Sequence, residues 1–174
     1  NKSTIESIEE IRQRLDNFNV NMSKAPNPTE LAKTPDGNAS YLPIDFIETQ
    51  LDEYYFGLWQ TENFRWNVIA NEVVGSLDLL VFHPTANTWI RRTGAASIVI
   101  MVDAVPEAMK NDKQDKNRWA LDSANKKPSA LDMAFPKLKT ECIKNAAASL
   151  GNIFGRNLNR KNKDTYTPKG RWNK

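Results

Sequence analysis

Residues 129–159 read SALDMAFPKLKTECIKNAAASLGNIFGRNLN and form the longest segment of this chain with a single apolar period. Apolar residues recur in it every three or four positions, the spacing that places side chains on one face of an α-helix. The stripe consists of Leu131, Phe135, Leu138, Cys142, Ala146, Leu150 and Phe154, widened by Ile143, Ala147, Ile153 and Leu158. Such a broad stripe predicts a long helix that buries one face against a core.

Three residues constrain this predicted helix. Pro136 lacks an amide hydrogen, so we expect it in the first turn or at a kink. Gly151 and Gly155 lie four positions apart, and we expect another backbone to approach them, since glycine is otherwise unfavourable inside a helix. The polar side is mostly basic. It carries Lys137, Lys139, Lys144 and Arg156 against Asp132 and Glu141.

Two shorter helices are predicted before it. Residues 4–18 have an amphipathic pattern, and Ser3 or Thr4 can cap the helix they form. Residues 19–40 are rich in Pro, Asn and Ser and predict a linker or an ordered loop. Residues 42–59 are apolar again and predict a helix with Pro43 at its entry.

Between residues 64 and 102 the apolar period changes to two, which is typical of β-strands. Val73, Gly75, Leu77, Leu79 and Val81 line one face of the central strand. A turn at residues 83–87 separates it from a third strand, so the segment predicts an antiparallel three-stranded meander. We expect Trp66, Phe82 and Trp89 in the core, because large aromatic residues in strands are more often buried than exposed.

The predicted fold class is therefore α+β: an antiparallel three-stranded β-meander packed on a long C-terminal helix, a β-β-β-α core with preceding helices. Residues 1–40 form an N-terminal helix and linker, and residues 41–160 form the core. The core contains a polar, lysine-rich insertion at residues 103–128, which we expect to be mobile, with one short helical turn at residues 106–109. Residues 161–174 form a basic tail.

The composition limits the compartment. One cysteine in 174 residues excludes an intramolecular disulfide and fits a reducing compartment, so we expect a cytoplasmic protein. No apolar segment approaches the roughly 18 residues of a membrane span, and no signal peptide is recognisable. We expect no membrane partner.

The charge is unevenly distributed. Residues 156–174 contain seven Lys and Arg residues and one Asp, a net +6, so the rest of the chain carries −3 of the total +3. A basic tail on a weakly acidic body indicates a polyanionic partner, most often a nucleic acid. A solubilising terminus is the alternative.

Enzymatic patterns are weak. His83 is the only histidine, and it precedes a proline at a strand end, where we expect a turn residue. One Cys and one His cannot build the usual zinc sites, and no glycine-rich phosphate loop follows a strand. Glu72 and Asp78 leave a metal-dependent nuclease as an alternative. We otherwise expect no enzyme, no catalytic residue, no metal and no cofactor.

The segment LKTECIKNAAASLGNIFG at residues 138–155 resembles a helix of the Rad-fifty-two-type single-strand annealing proteins. In that family the helix carries a hydrophobic-Lys-x-Ala-hydrophobic-x-Ser-Phe-Gly segment followed by a second glycine. Residues 42–59, which end in aromatic residues, Gly and Trp, also resemble the helix that precedes the family's meander. The resemblance covers about residues 41–159, with a gap at the insertion.

This resemblance implies a homo-oligomeric ring or arc that anneals complementary DNA strands without ATP, in homologous recombination or repair. Its partners would be single-stranded DNA and the annealed duplex intermediate. A single-strand-binding protein is a further candidate partner, and the location would be the nucleoid of a bacterial or phage-infected cell. A small RNA- or DNA-binding module without annealing activity is the alternative function.

The resemblance also points to DNA-binding residues. Lys144 matches the family's inner-groove lysine, whereas Asn145 and Ala148 stand where the family has arginines. Lys126 and Lys127 fall near its outer-site lysine, and Lys33 lies near an upstream basic residue. From their own predicted positions we add strand and helix cations as candidates. These are Arg65, Arg91, Arg92, Lys137 and Arg156; Arg91 and Arg92 are adjacent in a strand and so point to opposite faces.

Overall fold

The computed structural model describes residues 7–161. Its helices are α1 (Ile8–Ser23), α2 (Ile44–Tyr55), α3 (Lys113–Leu121) and α4 (Ala130–Ala148). Its strands are β1 (Ala32–Lys33), β2 (Ser40–Tyr41), β3 (Trp59–Ile69), β4 (Glu72–His83) and β5 (Thr88–Val99). β3, β4 and β5 form an antiparallel sheet in that order, and α4 packs on β4 and β5. The predicted α+β class with a three-stranded meander against a helix is confirmed.

The central strand β4 carries the core. Its residues alternate between a buried face towards α4 and a partly exposed outer face. The buried apolar residues are Val73, Leu77, Leu79 and Val81, as the alternation predicted. On α4 the matching buried residues are Ala130, Ala134, Leu138, Cys142, Ile143, Ala146 and Ala147. The sheet and the long helix therefore meet through the two apolar stripes visible in the sequence.

The first helix lies further along the chain than predicted. It begins after Ser7, whose hydroxyl accepts a hydrogen bond from the amide of Glu10, while the Glu10 carboxylate accepts one from the amide of Ser7 at 2.7 Å. This reciprocal cap fixes the start; the predicted caps Ser3 and Thr4 lie outside the described residues. The helix continues to Ser23, beyond the predicted residue 18, and Met22 near its end is buried in the core.

The predicted linker at residues 19–40 contains regular structure. After α1 it forms a 3-10 turn at Pro28–Glu30 and then the hairpin β1–β2, with Ala32 paired to Tyr41. Asn159 holds this hairpin against the C-terminal segment: its side chain accepts a bond from the amide of Ser40 at 2.9 Å and donates to the Ser40 carbonyl at 2.6 Å. The hairpin is thereby attached beside the long helix.

The first strand of the meander begins at Trp59, earlier than the predicted residue 64. The pairing with β4 shifts between Glu62 and Arg65, and Asn63 has a positive φ of 53°. Such a bulge inserts an extra residue and resets the inward–outward alternation. The sequence pattern therefore shows only the part of β3 that follows the bulge.

The polar insertion forms more structure than predicted. The expected helical turn is present at Glu107–Met109, but the nine-residue helix α3 follows it. Asn71, buried in the β3–β4 turn, donates from its side chain to the carbonyls of Ala120 and Asp122 at 2.7 and 2.8 Å. The insertion is therefore fixed to one end of the sheet, which its lysine-rich composition does not indicate.

The long helix ends sooner than predicted, at Ala148. Gly151 follows with an extended backbone, and residues Asn152–Phe154 form a separate 3-10 turn. Pro136 is the seventh residue of the helix and so lies beyond its first turn, since the helix already begins at Ala130, after Ser129 with a positive φ of 58°. Pro136 and the residue one turn earlier, Asp132, are both exposed, so water can satisfy the carbonyl that Pro136 leaves without a donor.

The prediction that Trp66 and Trp89 belong to the core is wrong. Trp66 is 55% exposed and Trp89 48% exposed. Each ring still has an edge-on aromatic contact, Trp66 with Phe135 at 4.6 Å and Trp89 with Phe82 at 5.5 Å. They lie exposed because α4 covers β4 and β5 more than β3, and because Trp89 is on the outer face of the sheet.

His83 acts as a turn residue, as expected. Its Nδ1 atom accepts hydrogen bonds from the amides of Thr85 and Ala86 at 3.2 and 3.0 Å. Its ring packs on Phe18 of α1, with a centroid distance of 4.5 Å. Burial lowers the pKa of His83 below its ordinary value.

Candidate nucleic-acid interface

A groove runs between α4 and the free edge of β5, with a cavity volume of about 580 Å³. α4 contributes Lys137, Glu141, Lys144, Asn145 and Ala148, whose spacing of three to four residues places them on one side of the helix. β5 contributes residues 95–98, and the opposite wall consists of the β2 hairpin and residues from 154–159. We call this the α4–β5 groove.

Lys144 lies deep in the groove and already has partners. Its Nζ atom is 2.5 Å from Oε1 of Glu141, one helical turn earlier. It also lies 5.1 Å from the centre of the Tyr41 ring, within the range of a cation–π contact. Its side chain is 17% exposed. The lysine that the resemblance singles out is thus in a groove between helix and meander, but its charge is balanced there.

Lys137 is the second cation of the groove. It is exposed and lies on the same side of α4, two helical turns before Lys144. A rise of 1.5 Å per residue separates the two positions by about 10 Å along the helix axis. The pair offers two positive charges along the groove floor, with the Glu141 carboxylate between them.

Asn145 has a structural role in the groove. Its side-chain oxygen accepts a hydrogen bond from the amide of Ala95 on the edge of β5, at 3.1 Å. This bond satisfies one of the backbone donors that an edge strand leaves unpaired. The position at which the resembling family has an arginine is therefore used here to attach the helix to the sheet edge.

The candidates Arg65 and Arg91 lie on the outer face of the sheet, away from the groove. Arg91 has ion pairs with Glu62 at 3.6 Å and Asp78 at 3.7 Å. Asn63 and Thr93 donate hydrogen bonds to the Asp78 carboxylate. These bonds, together with the positive charges of Arg91 and Arg65, hold the pKa of Asp78 below its ordinary value. Two acids therefore balance Arg91, and neither arginine lines the groove.

Arg92 points to the opposite face from Arg91, as predicted from their adjacency. It is paired with Leu79, whose side chain is buried, and its guanidinium donates to the Arg91 carbonyl at 2.9 Å. Burial raises the pKa of the Tyr55 hydroxyl to about 12, and the positive charge of Arg92 opposes this shift. Arg92 is thus half-buried on the inner face of the sheet and does not line the groove.

Arg156 caps the end of α4. Its guanidinium donates to the carbonyl of Ser149 at 2.6 Å and to that of Ala148 at 3.3 Å. A cation at this position satisfies carbonyls that the helix leaves free and complements the helix dipole. Its contribution is therefore to helix termination, although the side chain remains exposed.

The remaining candidates are dispersed. Lys126 and Lys127 are exposed just before α4, where Lys126 pairs with Val102 and the Lys127 amide donates to Met101. Lys33 is exposed on β1 opposite Ser40, which lines the groove. Of the nine predicted cations, only Lys137 and Lys144 line the α4–β5 groove. The tail cations after residue 161 lie outside the described residues.

The carboxylates of the nuclease alternative are far apart. Glu72 and Asp78 lie on one strand, and six residues of extended chain span about 20 Å. In the part of the chain that the structure describes, no three His, Cys, Asp or Glu side chains are grouped to hold a metal ion. Within residues 7–161 no helix is long and apolar enough to cross a membrane.

Two residues that contact Lys144 were not predicted as part of the site. Glu141 was recognised only as an acid on the polar face, although its position three residues before Lys144 is a spacing at which helix side chains meet. Tyr41 carries no local signal, because a hairpin from a distant part of the chain brings it to the groove.

The chain matches no protein-family model and no curated protein sequence. The geometry of the groove is therefore the basis for a functional proposal.

Proposed function

We propose that this protein binds single-stranded DNA in the α4–β5 groove and anneals complementary strands without ATP. The observation that carries the proposal is the position of Lys137 and Lys144 along one groove between the long helix and the sheet edge. The order of elements, a helix followed by a meander and a long helix, is also the one that the resemblance to the annealing family implies.

The groove suits a sequence-independent role. Lysines bind phosphates without reading bases, so a strand held by its backbone leaves its bases free to test a complement. The proposal assigns no catalytic group to the groove, because annealing does not require one. Its free energy comes from base pairing between the strands themselves.

A single groove would bind weakly. Two lysines contact few phosphates, and each neutralised phosphate contributes a limited, salt-dependent amount to the affinity. We therefore propose a homo-oligomer in which equivalent grooves line up along one strand, as a ring or an arc. Linked sites raise the overall affinity by orders of magnitude without any new contact.

The cellular setting follows from this role. The protein would act on single-stranded DNA and the annealed duplex intermediate at the nucleoid, in the cytoplasm of a bacterial or phage-infected cell. A single-strand-binding protein that coats the same DNA is a candidate partner. No cofactor is required.

The experiment is to mix labelled complementary oligonucleotides with the purified protein in the absence of ATP and metal ions. Faster formation of duplex than in buffer alone is the expected result. Light scattering on the same sample should give a mass of several chains, and a monomer with and without DNA would refute the ring or arc.

The same assay separates the alternatives. Tight binding of the single strands without faster duplex formation would indicate a nucleic-acid-binding module that lacks annealing activity. Cleavage of the oligonucleotides on addition of magnesium would indicate the nuclease.

A further inference from the structure

The most deeply placed cation of the α4–β5 groove is already neutralised within the chain. Glu141 Oε1 lies 2.5 Å from Lys144 Nζ, a short, charge-assisted contact. We propose that Glu141 is an internal competitor for phosphate: it occupies Lys144 in the free protein and is displaced when a polyanion enters the groove. This inference rests on the proposed function, because it assigns a regulatory residue to the same site.

The burial of the pair supports displacement of the carboxylate rather than of the lysine. The Lys144 side chain is 17% exposed and that of Glu141 is 35% exposed. Tyr41 packs against the ammonium from the hairpin side, with 5.1 Å between Nζ and the ring centre. Glu141 can therefore turn towards solvent when another anion replaces it, whereas Lys144 is held in place by its surroundings.

The competitor gives the groove a preference for chains of phosphates. A single phosphate that approaches Lys144 must displace Glu141 and gains only one contact in return. A polyphosphate or a DNA strand also reaches Lys137, two turns away on the same side of α4. Its second contact offsets the cost of separating Glu141 from Lys144, so long polyanions bind and isolated anions do not.

The pair differs from the other helix ion pairs of the described residues. Arg118 and Asp115, for example, are 81% and 41% exposed and 4.0 Å apart, and α3 does not line the groove. Exposed pairs of this kind contribute little, since water screens them. Glu141 and Lys144 are closer than Arg118 and Asp115 and more shielded, and both line the cavity.

The test measures binding of two probes, a fluorescent oligo-dT strand and inorganic tripolyphosphate, to the 174-residue protein and three variants. Glu141→Gln removes the competing charge and keeps the side-chain shape. Asp132→Asn is the matched control, since it removes one negative charge from an exposed position of the same helix outside the groove. The double variant Glu141→Gln/Lys144→Gln tests whether any gain depends on Lys144.

Glu141→Gln should bind both probes about two- to fivefold more tightly per subunit, the equilibrium equivalent of a partly exposed ion pair. Its affinity should also depend more steeply on salt, because Lys144 then neutralises a phosphate without an acid beside it. The Asp132→Asn variant should bind as the wild type does, and the double variant should lose the gain.

Equal affinities of Glu141→Gln and Asp132→Asn for both probes would overturn the inference while leaving the DNA-binding proposal in place. If no variant binds DNA but Glu141→Gln binds tripolyphosphate more tightly, the proposed function fails and the competitor role stands. If the wild type and all three variants bind neither probe, both proposals are refuted.

Discussion

A Cβ atom at Gly94 would lie 2.0 Å from the backbone carbonyl oxygen of Cys142 and 2.9 Å from the Cβ atom of Ala146. The backbone of β5 therefore touches the backbone of α4, with no side chain between them. This contact holds the helix close to the sheet at the level of the α4–β5 groove. The depth of the groove depends on it.

Gly94→Ala should destabilise the fold by about 3 kcal/mol, the upper end of the range for overpacking, because backbone atoms cannot turn aside as a side chain can. Urea unfolding followed by circular dichroism measures the change. Ser97→Ala, at an exposed position of the same strand, is the control and should stay near the wild type. A Gly94→Ala protein as stable as that control would contradict the contact.

Gly151 forms the corresponding contact with the first helix. A Cβ atom there would lie 2.5 Å from the carbonyl oxygen of Met22. We expect Gly151→Ala to push α1 away from the C-terminal segment at a cost of about 1–3 kcal/mol. Limited proteolysis should then cut residues 19–31 faster than in the wild type, while the sheet remains protected.

Asn152→Ala provides the comparison for Gly151→Ala. It removes two hydrogen bonds without adding volume: the one that the Asn152 side chain donates to the Ser23 carbonyl at 3.3 Å and the one that it accepts from the Asn157 amide at 3.2 Å. It should cost about 1–3 kcal/mol and leave the contact between Gly151 and Met22 in place. If the two variants are equally sensitive to protease, steric exclusion at Gly151 is not what positions α1.

His83 should make the stability depend on pH. Burial lowers its pKa in the folded protein below the ordinary 6.5, so the unfolded chain binds this proton more tightly. The stabilisation is complete above the unfolded pKa of about 6.5 and is lost as the pH falls below it towards the folded value. The melting temperature should therefore fall between pH 7.5 and pH 5.5.

The sequence has one histidine, so this window isolates it from the carboxyl groups, which titrate lower. His83→Gln should flatten the dependence, since glutamine can accept a hydrogen bond from the turn but does not ionise in this range. An unchanged slope in His83→Gln would assign the pH dependence to other groups.

Lys144→Gln tests the proposed DNA contact. The amide can still donate to Glu141, so the melting temperature should stay near that of the wild type. Loss of one charge-assisted contact per subunit, worth about 1.5–3 kcal/mol, should reduce strand binding about tenfold or more, and annealing with it. Lys139→Gln, exposed on the same helix but outside the groove, is the control. Normal annealing by Lys144→Gln would remove the main residue-level support for the function.

The periodic parts of the fold were predictable from the sequence. The stripe from Leu131 to Ala147 and the alternation on β4 are local patterns, because each buried residue recurs at the period of its own element. The end of α4 was not predictable in this way. The helix ends where Arg156 donates to its last carbonyls and where Gly151 contacts Met22 of α1. Arg156 and Gly151 lie within the apolar stretch, which continues past them, so the pattern itself does not mark the end.

The candidate site was predictable in part. Helical spacing and the resemblance both indicated Lys144, and Lys137 falls on the same side of α4. The arginines of the strands were harder to assign, because a period of two shows that Arg91 and Arg92 face opposite ways but not which face is open. Glu62 on β3 and Asp78 on β4 balance the charge of Arg91. Only the register of the three strands shows that these side chains meet.

The bond between Asn145 and the Ala95 amide also affects self-association. An exposed edge strand is a template on which another chain can add, and such additions propagate into aggregates. On β5 an incoming strand would meet a side-chain amide in place of a free N–H, so the new ladder would be interrupted within its length. Replacing Asn145 with arginine would add a positive charge to the groove and reopen that edge. At this one position, a side chain that increases the affinity for a polyanion would also remove a protection against aggregation through the sheet edge.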